Sequence, residues 1–158
     1  MPDLNITASG VAPVTTTGGG LIPTVTARGT AGAAITPGQV VYADLSAGNL
    51  LKPASGTVQP QAANVVGIAL GSAALNQPLT YAVSGDVTLP TSGAGSILTS
   101  GSVYILSNNP GNIVSTADNA GSIGSFITLL GIGNGTVSAG TAPTLRLGII
   151  AAGPVKTG

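Results

Sequence analysis

Cysteine, histidine, glutamate and tryptophan are all absent from the chain. Without cysteine there is no disulfide and no thiolate metal site. Without histidine the commonest general base and the commonest metal ligand are missing together. Charge is thin as well: Asp3, Asp44, Asp86 and Asp118 stand against Arg28, Lys52, Arg146 and Lys156, giving 5% charged residues and a net charge of zero. Globular surfaces ordinarily carry charge on a quarter or more of their positions, so this one has to rely on Ser, Thr, Asn, Gln and backbone groups, or on partners that cover it. The four cations are scattered, which leaves no basic stripe for phosphates, and nucleic acid is not an expected partner. A membrane is not expected either, because no run approaches the roughly 18 apolar residues of a spanning helix. The richest stretch, "LRLGIIAAG" at 145–153, contains Arg146 and has the length of a strand. "MPDLNITASG" at the start lacks the basic and apolar regions of a secretory signal, which points to a chain made in a cytoplasm.

The same scarcity bears on catalysis. A glycosidase needs two carboxylates flanking a cleft, yet Asp44 and Asp118 fall at non-equivalent places in the sequence and Asp86 lies in a turn-like "SGDV". Serine and threonine abound, but no histidine and no Ser-x-x-Lys is present to activate one. "TTTGGGL" at 15–21 lacks the spacing of a phosphate loop, and the triplets "NIT" (5–7) and "NGT" (134–136) are assigned no function. The expectation is a chain that is not an enzyme, with no catalytic, cofactor or metal residues and no cofactor.

Short runs of Val, Ile, Leu and Thr bounded by 25 glycines and 11 prolines are what is present, and they form an all-β pattern. Strands are expected near 21–27, 39–44, 50–53, 65–70, 79–84, 87–89, 103–107, 113–115, 126–132 and 145–151. "ITPGQVVYADLSAGNLLKPA" (35–54) echoes in "LTSGSVYILSNNPGNIVSTA" (98–117): Thr36, Gly38, Val40, Gly48, Asn49 and Ala54 recur as Thr99, Gly101, Val103, Gly111, Asn112 and Ala117. The echo continues as "VVGIA" (65–69) against "LLGIG" (129–133) and "LTYAV" (79–83) against "LRLGI" (145–149). Two pseudo-repeats, about 33–90 and 96–153, each too small to bury an apolar face alone, would pack together as a small antiparallel β-barrel or sandwich.

Turn chemistry follows from the same glycines. "SAGN" and "NPGN" place Gly48 and Gly111 where a type II turn needs a left-handed residue. "SGDV" with Gly85 and "GNGT" with Asn134 and Gly135 read as further tight hairpins. Residues 1–32 fall outside the repeats and, with Ile6, Val11, Val14, Leu21 and Ile22 spaced through Pro, Gly and Thr, are too apolar for a solvated tail. They read as an extended N-terminal arm that orders against a partner, the alternative being a first strand with a loose end; the β domain is then 33–158.

The order of Gly-bounded strands, "GQVVY", "GNL", "VVGIAL", "NQPLTYAVSGDV", then "LTSGSVYILS", "PGNI", "TLLGIG" and "LRLGIIAAGPV", resembles the head decoration proteins, or capsid cement proteins, of tailed bacteriophages over about residues 30 to 155. The resemblance implies a β-rich homotrimer on the outer surface of an expanded head, made in the host cytoplasm and bridging neighbouring copies of the major capsid protein. The alternative class is a carbohydrate- or surface-binding module of a tail fibre or adhesin, whose stacking platform could come only from Tyr42, Tyr81, Tyr104 or Phe126.

Overall fold

The computed structural model describes residues 3–15, 20–92, 98–116, 126–135 and 142–154. Nearly all of the regular structure is β, as the branched and aromatic runs predict. The strands are β1 (Ala12–Pro13), β2 (Val25–Thr30), β3 (Val40–Asp44), β4 (Leu50–Pro53), β5 (Val65–Ala69), β6 (Pro78–Thr88), β7 (Val103–Leu106), β8 (Ile113–Ser115), β9 (Phe126–Gly135) and β10 (Thr144–Pro154). Among the described residues the α-helix α1 (Gln59–Ala63) carries its proline in the first turn, where a missing N–H does no harm.

The strands lie in the order β4-β3-β5-β6-β10-β9-β7-β8, with β1 and β2 on the other edge of β6, and the order reads alike from either end. β6 belongs to two sheets. Its first part pairs with β2 and β5, through Thr26 and Ile68 on either side of Ala82, and its last part pairs with β10 and β1, through Thr144 and Ala12 on either side of Thr88. The change of sheet falls at Gly85, with φ 83°, where an added Cβ would meet the Pro23 carbonyl oxygen at 2.1 Å. "SGDV" is therefore not a hairpin. Its left-handed glycine bends one continuous strand, a use of glycine in strand interiors that looks like a turn in sequence.

Divided at Gly85, the chain gives an N-terminal unit (β2–β5 and the first part of β6) and a C-terminal unit (the rest of β6 and β7–β10). Their registers match. Val40↔Ile68, Val41↔Gly67 and Tyr42↔Val65 in one correspond to Val103↔Ile132, Tyr104↔Gly131 and Ile105↔Leu129 in the other, each with a register shift at the same step. Ile68↔Ala82 and Ala69↔Tyr81 correspond to Ile132↔Arg146 and Gly133↔Leu145. The counterpart of "LTYAV" is thus residues 143–147, two earlier than the sequence alignment put it. β2 corresponds to the end of β6, because Thr26 faces Ala82 as Asp86 faces Arg146. The first unit accordingly begins near 25, inside the expected arm, and hands over at 85 instead of 90.

Both hairpin glycines are left-handed, Gly48 at φ 69° and Gly111 at φ 80°. Gly48 closes a 3₁₀ turn, Leu45–Ala47, instead of a type II turn, and Asn49 at φ 64° adds a second left-handed residue. Asn134 and Gly135 lie at the end of β9, not in a tight turn. Gly133 pairs with Leu145 and Gly135 with Thr144, so Asn134 is the extra residue of a bulge. The connection that follows, like Asp118 and Ala117, lies outside the described residues.

Side chains alternate between the two faces of each sheet. In the N-terminal unit Val40, Tyr42, Ile68 and Ala82 form a front and Val41, Ala43, Val66 and Tyr81 a back. The same positions in the C-terminal unit are Val103, Ile105, Ile132 and Arg146 in front and Tyr104, Leu106, Leu130 and Leu145 behind. The N-terminal front packs on the C-terminal back in one core. The N-terminal back forms a second, smaller core with Ala31, Ile35, Leu51, Ala69, Ala73 and Leu79, closed where Ala31 bridges Leu51.

Residues 3–15 are not a free arm. Leu4 N donates to Ile113 O at 2.8 Å, Ile6 bridges Thr91, β1 pairs with β6, and Val11 and Val14 are buried. Their apolar residues complete this chain's own core, which explains why they were too hydrophobic for a tail.

Candidate interaction face

Charge is used internally. Asp86 is completely buried at the seam between β6 and β10. Its carboxylate accepts from Ile22 N (2.6 Å), Asn134 Nδ2 (2.7 Å), Arg146 Nη2 (2.9 Å) and Arg146 Nε (3.1 Å). Burial by itself would raise its pKa; the Arg146 guanidinium, the Ile22 N–H and the Asn134 amide outweigh that and hold it below the usual carboxylate value. Arg146 also donates to Gly20 O at 2.6 Å, so the network pins residues 20–24 onto the seam. Asp44 pairs with Lys52 at 2.7 Å and accepts from Ser46; the Lys52 contact leads in lowering its pKa to about 2. Asp3 accepts from Ser107, Asn109 and Asn112. Every described carboxylate is therefore tied to its own chain, and among the described residues no three potential metal ligands converge.

The expected contact residues separate. Val11 and Val14 are buried and so closed to a partner while the fold is intact, whereas Ile6 packs against the main core and is half-buried. Leu21 is half-buried, and Ile22, held by Asp86, is 48% exposed. Gly48, Gly85 and Gly111 act on backbone geometry through their left-handed φ, Asn134 gives its amide to Asp86, and Gly135 pairs with Thr144. None of the four aromatic rings is exposed: Tyr42 and Tyr104 are buried, and Tyr81 and Phe126 are half-buried.

An open apolar groove lies elsewhere, on the front of the C-terminal unit. A groove of about 300 Å³ runs between β7, β9 and β10, lined by Val103, Leu129, Ile132, Leu147 and Ile150 with Arg146 at its rim. Ile132 is 49% and Ile150 59% exposed, although Ile68, the counterpart of Ile132, is fully buried. At the other end of this face Ile105 and Val114 are buried. Sequence reasoning missed the groove because Val40 and Val103, or Ile68 and Ile132, are indistinguishable in a repeat; only packing decides which copy is covered.

No family model matches the chain, and no curated protein or solved structure matches it either.

Proposed function

We propose that the chain is a structural virion protein, a homotrimer that binds the outer surface of an expanded phage head and cements neighbouring copies of the major capsid protein against the pressure of packaged DNA. The observation that carries this reading is the pairing of an open apolar groove with a surface whose described carboxylates are all engaged internally. Such a molecule is equipped to dock by area and backbone hydrogen bonds. Binding the expanded shell in preference to its unassembled subunits stabilises it by RT ln(1 + [L]/Kd) at every site, so modest contacts repeated over a head resist bursting. With zero net charge, docking is not steered by long-range fields.

The test is to incubate the protein with expanded and unexpanded heads and measure bound copies after sedimentation. Saturable binding to expanded heads is expected, and it should persist in about 1 M salt, where the screening length falls to about 3 Å. Absence of binding, or binding that disappears with salt, refutes the reading. The protein's place before assembly is then the host cytoplasm, and afterwards the outside of the head.

A further inference from the structure

Of the three groups that hold the Asp86 carboxylate, the Ile22 N–H and the Arg146 guanidinium are chemically durable, and the Asn134 amide is not. Asn134 is followed by Gly135, the one Asn-Gly pair in the chain; every other asparagine precedes a residue with a side chain. An asparagine loses its amide when the backbone nitrogen of the next residue attacks its side-chain carbonyl carbon, and a glycine, having no Cβ, leaves that approach open. The fold holds both reacting groups apart. Asn134 is the extra residue of the β9 bulge, with its Nδ2 on Asp86 Oδ1 at 2.7 Å, and Gly135 is fixed in the ladder opposite Thr144. The attack requires the side chain to leave Asp86 and Gly135 to leave Thr144 together.

We propose that Asn134 is a deamidation site gated by the Asp86 seam, where a transient opening between β6, β10 and the end of β9 is made permanent by reaction with water. In the opened chain the Gly135 nitrogen bonds to Asn134 Cγ and the Cγ–Nδ2 bond breaks. The proton lost from the Gly135 nitrogen leaves with the amide as ammonia, and a cyclic imide remains. Water then adds to one of the two imide carbonyls and breaks its bond to the Gly135 nitrogen, which takes up a proton. Opening at Cγ leaves aspartate, and opening at the backbone carbonyl leaves isoaspartate, in which the main chain runs through the former side chain. Neither product remakes the seam. Aspartate sets a second carboxylate where Asp86 had a donor, and Asp86 is completely buried, so water does not screen the pair. Isoaspartate lengthens the main chain at the bulge and moves Gly135 off Thr144. Because Asp86 also holds Ile22, and through Arg146 the Gly20 carbonyl, residues 20–24 lose their anchor as well. A chain that stays closed keeps its amide, whereas one that opens is marked and does not return.

The chemistry needs no partner and is tested on the isolated full chain, by peptide mass spectrometry of Asn134 during incubation at mildly alkaline pH. In the folded protein conversion should be at least roughly tenfold slower than in the chain unfolded by guanidinium, since it waits on an opening step. Arg146→Met loosens the seam and should speed conversion well below its melting temperature. Gly48→Val strains a left-handed turn in the other unit and should not. If Arg146→Met does not fold, Thr24→Val serves in its place, because it removes the hydroxyl that joins Asp86 O to Val14 N. Asn134→Asp, which reproduces one product, should melt about 5 °C or more below the wild type at neutral pH and recover part of that in mild acid, where one of the two carboxyls takes a proton. Conversion as fast in the folded as in the unfolded chain, equal acceleration by the seam variant and Gly48→Val, or an unchanged melting temperature in Asn134→Asp would overturn the proposal.

Discussion

Replacing Arg146 with methionine should destabilise the fold strongly at neutral pH and much less in mild acid. The substitution removes two of the four hydrogen bonds to the fully buried Asp86 carboxylate and leaves those from Ile22 N and Asn134 Nδ2. Breaking a buried pair from one side costs about 3 to 5 kcal/mol, and the low end applies because the Arg146 side chain is 40% exposed and its share of the attraction is screened. An unfolding entropy of about 2.1 cal/mol/K per residue over 158 residues converts about 3 kcal/mol into a fall of about 9 °C in Tm. The pH dependence has a definite sign. In the wild type the Asp86 pKa is depressed, so its contribution is complete above the unfolded value of about 3.9 and is lost as pH falls through the lower folded value. In Arg146→Met, burial is no longer opposed by the guanidinium, and the folded pKa should rise above the unfolded one. The folded state then takes up a proton more readily than the unfolded chain, and the penalty should shrink on going from pH 7 to about 4.5. Thermal unfolding followed by circular dichroism at the two pH values measures this. An equal fall in Tm at both, or one below about 2 °C at pH 7, would refute the argument.

Further outcomes follow from the backbone and from the second ion pair. Gly67→Ala and Gly131→Ala should be equally severe, each above about 4 kcal/mol, because an added Cβ would stand 2.0 Å from Ala82 O and 1.9 Å from Arg146 O; soluble yield and Tm report this, and tolerance of either alanine contradicts the close strand approach. Gly111→Val should cost more than Gly48→Val within a range of about 1 to 3 kcal/mol, since both positions are left-handed but only at Gly111 would a Cβ also press on Gln39, at 3.0 Å; the difference in Tm decides. A chain beginning at Gly20 loses Leu4, Ile6, Val11, Val14 and β1. At about 1.5 to 3 kcal/mol for each fully buried side chain and less for Leu4 and Ile6, that loss rivals a typical stability of about 5 to 15 kcal/mol, so cooperative unfolding should disappear. In Lys52→Met the Asp44 carboxyl, now at about 2, should titrate higher by NMR yet stay below the ordinary value of about 3.9, because Ser46 still donates to it; the wild-type contribution is present above the unfolded value and fades as pH falls towards 2.

Much of the fold was legible because strands between glycines and prolines announce themselves locally. β4 (Leu50–Pro53) and β8 (Ile113–Ser115) have the expected ends, and Gly48 and Gly111 have the expected hand. Misreadings arose where one local pattern serves two purposes. Ser84-Gly85-Asp86 has turn composition, but its left-handed glycine carries β6 from one sheet to the next. α1 went unseen because five residues give no periodicity; Pro60 followed by Gln61, Ala62 and Ala63 was the available signal. The strand expected near 21–27 was placed in the arm and not in the domain because its partner, β6, lies some 50 residues away and nothing local links Ala27 to Tyr81. The open face was the least legible part. Alternation tells which residues share a side of a sheet, and two units with the same alternation differ only in what each side packs against.

The most direct measurement is the copy number of this protein in purified virions, by quantitative mass spectrometry against the major capsid protein. A component that cements the head should be present at a fixed, reproducible ratio to that subunit and should stay with the particle through a salt wash. Absence from virions, or a ratio that varies between preparations of intact heads, would contradict a role in the shell.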